Sequence, residues 1–328
     1  MYQTFKLFDD KIQKIFGYTM KKTIILLTLT ISIFANDTIK MDWLKQQPKS
    51  FAKDFYVWRY LNQDITPKQA NDALSQVRYL NNKIFYRYIN KSKDPILKDY
   101  KQCMKSKTKN LLDKEAYCIE AGLSVYDATK LSKKQLKKII DKTKDEYPHF
   151  SKKLEILYSP IPFKTLIDSE PKVFFDTFTM TGNAYRSKYF NQYIPLKLFK
   201  KLKEGDNKKG LALTIKLIVT NLNMRKAQIS LLKLNPEGLE YKSVFHLAIN
   251  AIRHKKEKLA LVYLEDAYKK AYYQMEKDNI TFWQYQLTSD EKYLTKLSKS
   301  WDVNIYTLFA NDSLKQEQKN IVYDLKLT

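Results

Sequence analysis

The sequence predicts an all-α protein, an irregular α-solenoid in which stacked helix pairs form a superhelical ring. Three observations lead there. Glycine occurs only 6 times and proline 9 times in 328 residues, too few for the turn-rich grammar of sandwiches and barrels or for Gly-rich phosphate loops. Apolar residues recur at helical spacing with no strand-like block between them. A composition of 44% hydrophobic and 14% aromatic residues supplies a core for one extended array or for two ordinary domains.

The N-terminus carries the most specific local signal, "MKKTIILLTLTISIFANDT". Lys21 and Lys22 form a positive start, Thr23 to Phe34 an apolar stretch, and Ala35 a small residue at the cleavage point. That is the plan of a secretory signal peptide over residues 20–35, beginning at Met20. An uncleaved anchor or a buried helix are the alternatives, although the stretch is short of the ~20 residues that a span requires. Residues 1–19 then read as an upstream start-site extension, and residues 36–328 as the mature superhelical domain, periplasmic and without an integral span.

The first mature helices come next. Phe51, Phe55, Trp58 and Leu61 keep helical spacing, and Thr66-Pro67-Lys68-Gln69 supplies an N-cap, a proline at the first helical position and a capping-box glutamine. Ala70, Ala73, Leu74, Val77 and Ile84 are expected to continue that second helix. Later, Val244, Leu247, Ala248 and Ala251 form one stripe. "RHKKEK" is a polar turn, and Ala260, Tyr263, Leu264, Ala267, Tyr268, Ala271, Tyr272 and Met275 form the next stripe, which makes an αα-hairpin. Breakers separate such pairs: "SKDP", "YSPIP", "DSEP", "KEGDNKKG" and "NPEG". Bends are expected near Tyr158 to Pro162 and near Gly205 to Gly210.

Export bears on the two cysteines, Cys103 and Cys118. In an oxidising compartment an even number reads as one disulfide, worth about 3 kcal/mol in the chain-entropy model; two buried thiols are the alternative. A metal site is not expected, because two cysteines without a nearby histidine cannot complete a tetrahedral shell.

The formal net charge of +24 invites a polyanionic partner. Yet the basic set is 53 lysines and only 6 arginines (59, 78, 87, 186, 225 and 253), whereas readers of phosphates and bases favour arginine's fork. Solvated lysine faces are therefore expected rather than a nucleic-acid surface.

Catalytic constellations are poor. His246 and His254 lie eight apart, ~12 Å in rise on one helix, too far to share a metal, and the third histidine is His149. Asp145-Glu146, Glu265-Asp266 and Asp290-Glu291 are adjacent pairs that diverge on a helix. No GxSxG, P-loop, HExxH or GxGxxG occurs, and no cofactor is implied. Trp43, Trp58, Trp283 and Trp301, with 24 tyrosines, are able to stack on sugar rings or bases, but at helical spacing aromatics are expected in the core.

Three segments together resemble one family. "DWLKQQPKSFAKDFYVWRYLNQ", Asp42 to Gln63, is similar to the opening of the mature soluble lytic murein transglycosylases of the ε-proteobacterial type. The stretch 103–118 and "NAYRSKYFN", Asn183 to Asn191, resemble the family's next helices. Residues 282–316, with Phe282-Trp283, Tyr293-Leu294 and Asn304-Ile305-Tyr306, resemble the end of the superhelical region. The resemblance implies a U-shaped helical domain, and beyond it a lysozyme-like domain with one catalytic Glu. That Glu cleaves the bond between N-acetylmuramic acid and N-acetylglucosamine to a 1,6-anhydro product.

That family's Glu-Ser pair occurs nowhere in this sequence, and the Gly-Leu pairs at 122, 210 and 238 continue as Ser124, Ala212 and Glu240 rather than as Gly-Leu-Met-Gln. No catalytic residue is carried over, and the expectation is a superhelical domain without its enzyme, inactive alone. Peptidoglycan glycan strands are the partner the resemblance implies. A stand-alone periplasmic scaffold with a protein partner on a concave surface is the alternative.

Overall fold

A computed structural model of the protein describes residues 38–203 and 208–317. The expected signal peptide and the extension before it lie outside the described residues. Among the described residues every regular element is helical, and no helix is long and apolar enough to cross a membrane. The protein is all-α. Its chain packs as two compact units, one up to Lys105 and one from Ser106.

The first unit holds helices Met41–Gln46, Phe51–Tyr60, Pro67–Ser75, Asn82–Ser92 and Pro95–Lys105. Leu44, Val57, Tyr60, Leu61, Ala70, Ala73 and Ile84 form its core. The capping box at Thr66 is present in full: the hydroxyl accepts from the Gln69 N–H at 3.2 Å, and the Gln69 side chain accepts from the Thr66 N–H at 2.8 Å.

The second helix is shorter than its apolar pattern suggests. It stops at Ser75, and Ile84 belongs to a new helix capped by Asn81, whose side-chain oxygen accepts from the N–H groups of Lys83 and Ile84 at 2.9 and 3.1 Å. Asp54, distant in sequence, pins the break by accepting from the N–H groups of Arg78 and Tyr79 at 2.7 and 3.1 Å. A carboxylate that captures two backbone donors competes with the helical ladder for them.

In the second unit the expected αα-hairpin is formed by Tyr241–Arg253 and Glu257–Lys270. Val244, Leu247, Ala248 and Ala251 are wholly buried. The turn is a Schellman stop: Lys255 is left-handed at φ 55°, the Lys256 N–H donates to Ala251 O at 2.9 Å, and the Lys255 N–H to Ile252 O at 2.9 Å. The next stripe ends early. Tyr272 is 84% exposed and Met275 also lies outside the core, because the chain leaves the helix after Lys270 and restarts at Gln274. There the Glu276 carboxylate draws the N–H groups of Tyr272 and Tyr273 onto itself at 3.2 and 3.3 Å.

Proline opens the helices at Pro162 and Pro171, as the breakers "YSPIP" and "DSEP" imply, and also at Pro148. Gly210, part of an expected break, instead lies within helix Lys208–Thr220, while residues 204–207 of that break lie outside the described residues. A β-carbon there would come within 2.6 Å of the Phe175 ring, so the glycine lets this helix press on Pro171–Met180. Beneath that contact Phe174, Phe178 and Phe190 stack in series at 5.8 Å spacing.

Cys103 and Cys118 are disulfide-bonded, and both are buried. The alternative of two free thiols is set aside.

Candidate functional site

The stripe Phe51, Phe55, Trp58 and Leu61 does not face the core as a set. Helix Phe51–Tyr60 instead buries Lys53, Asp54, Val57 and Tyr60. Phe51 is 72% exposed and Phe55 52%; Trp58 is half-buried, and only Leu61, just past the helix, is fully inside.

A helix can bury its polar stripe when each polar group finds partners. Lys53 Nζ donates to Gln47 O at 2.7 Å and to the Gln76 side-chain oxygen at 3.1 Å. Asp54 takes the two backbone donors already described. The expectation of core aromatics is thus corrected for Phe51 and Phe55, which turn outward.

Together these aromatics line a groove of about 340 Å³. Its lining is Phe51, Asp54, Phe55 and Trp58 from helix Phe51–Tyr60, Tyr79 and Asn81 from the turn after Ser75, and Lys83 and Ile84 from helix Asn82–Ser92. Tyr79 is 65% exposed. Phe55 and Trp58 stack at 5.8 Å between centroids with 28° between their planes, an offset parallel pair that makes a stepped aromatic shelf.

Arg87 backs that shelf. Its guanidinium carbon lies 3.6 Å from the centre of the Trp58 ring, and Nη1 donates to Trp58 O at 2.7 Å. Arg78 sits over Phe51 at 5.1 Å. Arg87 and Phe55 both pack on Trp58 and fix its ring, while Phe51, Phe55 and Tyr79 carry the exposed ring surface. Asp54 is the one carboxylate lining the groove, and each of its oxygens already holds a backbone N–H.

The histidines serve packing and local bonding. His149 Nε2 lies 2.8 Å from Asp176 on a neighbouring helix, His246 Nδ1 is 2.5 Å from Lys242 O, and His254 Nε2 is 3.3 Å from the Gln228 side-chain oxygen. Burial lowers the pKa of His246, and burial followed by Arg225 and Arg253 lowers that of His254.

The acidic neighbours are surface charges, as their spacing implies. Glu265 and Asp266 pair one turn on with Lys269 and Lys270, and Asp290 caps Glu291–Ser298. Asp145 and Glu146 are exposed. Among the described residues no group of three or more His, Cys, Asp or Glu is placed to hold a metal.

Of the other tryptophans, Trp43 meets Tyr56 edge-on at 4.9 Å, Trp283 packs on the main core, and Trp301 is largely exposed. Several lysines have structural work at carbonyl ends. Lys133 donates to Leu157, Tyr158 and Ser159 carbonyls at 2.8, 2.6 and 3.1 Å, where the end of a helix welcomes positive charge.

Two features escaped the sequence reading. Arg186, inside "NAYRSKYFN", is buried in a π-helical turn and donates to the carbonyls of Phe178 and Thr181, fastening the end of Pro171–Met180. Asp278 is a buried carboxylate that accepts from Gln274, Ser300 and Asn304, each at 2.8 Å. Neither has a local pattern that marks it, since the partners are set by the packing of separate segments.

No protein-family model matches the chain, and no curated protein is significantly similar to it.

Proposed function

We propose that this chain is a periplasmic, peptidoglycan-associated module of the lytic murein transglycosylase type, one that holds glycan strands and does not itself cleave them. The observation that carries this reading is the oxidised pair Cys103 and Cys118 in a chain whose segments 42–63, 183–191 and 282–316 resemble that family. Structural disulfides persist in oxidising compartments such as the bacterial periplasm and are rare in the cytosol, which supports this reading. The family's 1,6-anhydro chemistry needs a carboxylic acid of raised pKa in a partly desolvated cleft. In the groove both oxygens of Asp54 already hold backbone N–H groups, and the aromatic lining is suited to binding.

The test uses protein recovered from the periplasm. It should co-sediment with purified murein sacculi and release no anhydro-muropeptides, read by mass spectrometry. Failure to co-sediment would sink the reading, and release of anhydro products would overturn its non-cleaving part.

A second reading, a scaffold for a protein partner, is favoured by the last described helix, Ile305–Ser313. It buries Thr307, Ala310 and Asn311 while exposing Ile305, Leu308 and Phe309, the reverse of an ordinary surface helix. That reading predicts association that is indifferent to glycan and is lost when Ile305 and Leu308 are made polar.

A further inference from the structure

The groove of the first unit has a definite ligand chemistry. Phe51, Phe55 and Tyr79 expose more ring surface in one place than scattered surface aromatics do, and a contiguous exposed apolar patch marks a binding site. Phe55 and Trp58 are within 28° of parallel at 5.8 Å between centroids, an offset stack in which Phe55 is the exposed member. An exposed aromatic ring accepts the C–H face of a pyranose ring, which has apolar hydrogens on its face and hydroxyls on its edge.

The lining also supplies edge partners: the Asn81 amide nitrogen, whose oxygen caps the next helix, and the Lys83 ammonium, both residues exposed. The charge at the rim is one-sided. Arg78 and Lys83 are cations at the surface, Arg87 stands behind the shelf, and the carboxylate of Asp54 already holds two backbone N–H groups. A neutral sugar would use the shelf alone, whereas a sugar bearing a carboxylate uses both the shelf and the rim.

We propose that this groove binds an acidic saccharide chain, a β-linked N-acetylhexosamine polymer bearing carboxylates. Phe55 and Tyr79 hold the ring faces, and Arg78 and Lys83 hold the carboxylates. The choice of an N-acetylhexosamine chain rests on the peptidoglycan reading above; the shelf and the cationic rim are observed independently of it.

The experiment is calorimetric titration of the whole exported chain with a single-stranded oligonucleotide, for comparison, and with two saccharide probes. One is glycan strands freed from murein by an amidase, which carry lactyl carboxylates; the other is chitotetraose, which shares the β-linked N-acetylglucosamine but has no carboxylate. The variants are Phe55→Ala and Tyr79→Ala, both at exposed side chains, and the double variant Arg78→Gln, Lys83→Gln. Circular dichroism melts verify that each folds.

The expected result is tighter binding of the strands than of chitotetraose, with a salt dependence for the strands alone. Each aromatic variant should weaken both probes by roughly tenfold, about 1.4 kcal/mol by the affinity relation. The double variant should weaken only the strands. Equal affinity for the two probes would overturn the carboxylate assignment. Wild-type affinity in both aromatic variants, with sacculus binding intact, would overturn the groove while leaving the peptidoglycan reading standing. Absence of binding to strands and sacculi alike would remove that reading as well, and a preference for single-stranded oligonucleotides would replace the saccharide with a nucleic acid.

Discussion

Arg87 lies flat behind Trp58, its guanidinium carbon 3.6 Å from the ring centre, while the same side chain donates to the Trp58 carbonyl at 2.7 Å. One arginine thus fixes both the ring and the backbone of a residue on another helix. Arg87→Ala is expected to cost about 1–2 kcal/mol, a cation–π contact plus a charged hydrogen bond. Arg87→Lys should recover less than half of that, because an ammonium cannot stack and donate in the same plane. Urea denaturation midpoints of the three proteins decide it.

Asp54 holds open the turn at residues 76–81 that separates two helices. Removing its carboxylate strands two backbone donors in a part-buried site. Asp54→Ala should lower stability by roughly 2–4 kcal/mol. Amide exchange at Arg78 and Tyr79 should accelerate at the same time, and unchanged exchange at those two positions would count against the assignment.

Lys255 occupies a left-handed position, φ 55°, that glycine adopts without strain. Lys255→Gly should therefore stabilise the protein by about 0.5–1 kcal/mol despite the added freedom of the unfolded chain. A thermal melt that moves downward would contradict it.

His246 is lowered in pKa by burial, and His254 by burial and then by Arg225 and Arg253. The unfolded chain, with ordinary histidines near 6.5, therefore binds protons more readily than the folded one. This share of the stability is complete above about pH 6.5 and is lost as the pH falls from there through the lowered folded values. His246→Gln should flatten the decline in urea midpoint between about pH 6.5 and 5. A decline of equal steepness in the variant would assign the effect elsewhere.

The disulfide of Cys103 and Cys118 closes a short loop, for which the chain-entropy model gives about 3 kcal/mol. Reduction should lower the melting temperature, and Cys103→Ala with Cys118→Ala should melt at the same reduced temperature whether or not reductant is present. A melt insensitive to reductant in the wild type would contradict the bond's contribution.

Where structure is decided locally, the sequence was informative. Thr66 and Gln69 stand three apart and cap their helix; Val244, Leu247, Ala248 and Ala251 stand on one face and are buried; the polar turn after Arg253 reverses the chain. Where a distant residue decides, it was silent. The apolar pattern ran straight through residues 76–81 because nothing nearby reveals that Asp54 takes the N–H groups of Arg78 and Tyr79.

Periodicity also cannot say which of two stripes faces inward. Helix Phe51–Tyr60 has an aromatic stripe and a mixed one, and the mixed stripe is buried because Lys53 and Asp54 find partners on other segments. The candidate groove was therefore visible only as an aromatic-rich stretch, with its outward orientation hidden. Tyr272 and Met275 were misplaced for a related reason, since Glu276 interrupts the helix they would have extended.

Asp278 makes one further demand on the chain. It gathers donors from Gln274, a turn before it, and from Ser300 and Asn304, more than twenty residues after it. Everything between is a closed circuit returning to a single carboxylate. One residue inserted into a helix of that circuit would rotate the downstream chain by about 100°, carrying Ser300 and Asn304 away from their acceptor. Length variation here should therefore be tolerated only in the turns that join the helices, and a scan of single-residue insertions across 279–299 would map the circuit as a run of intolerant positions broken at those joints.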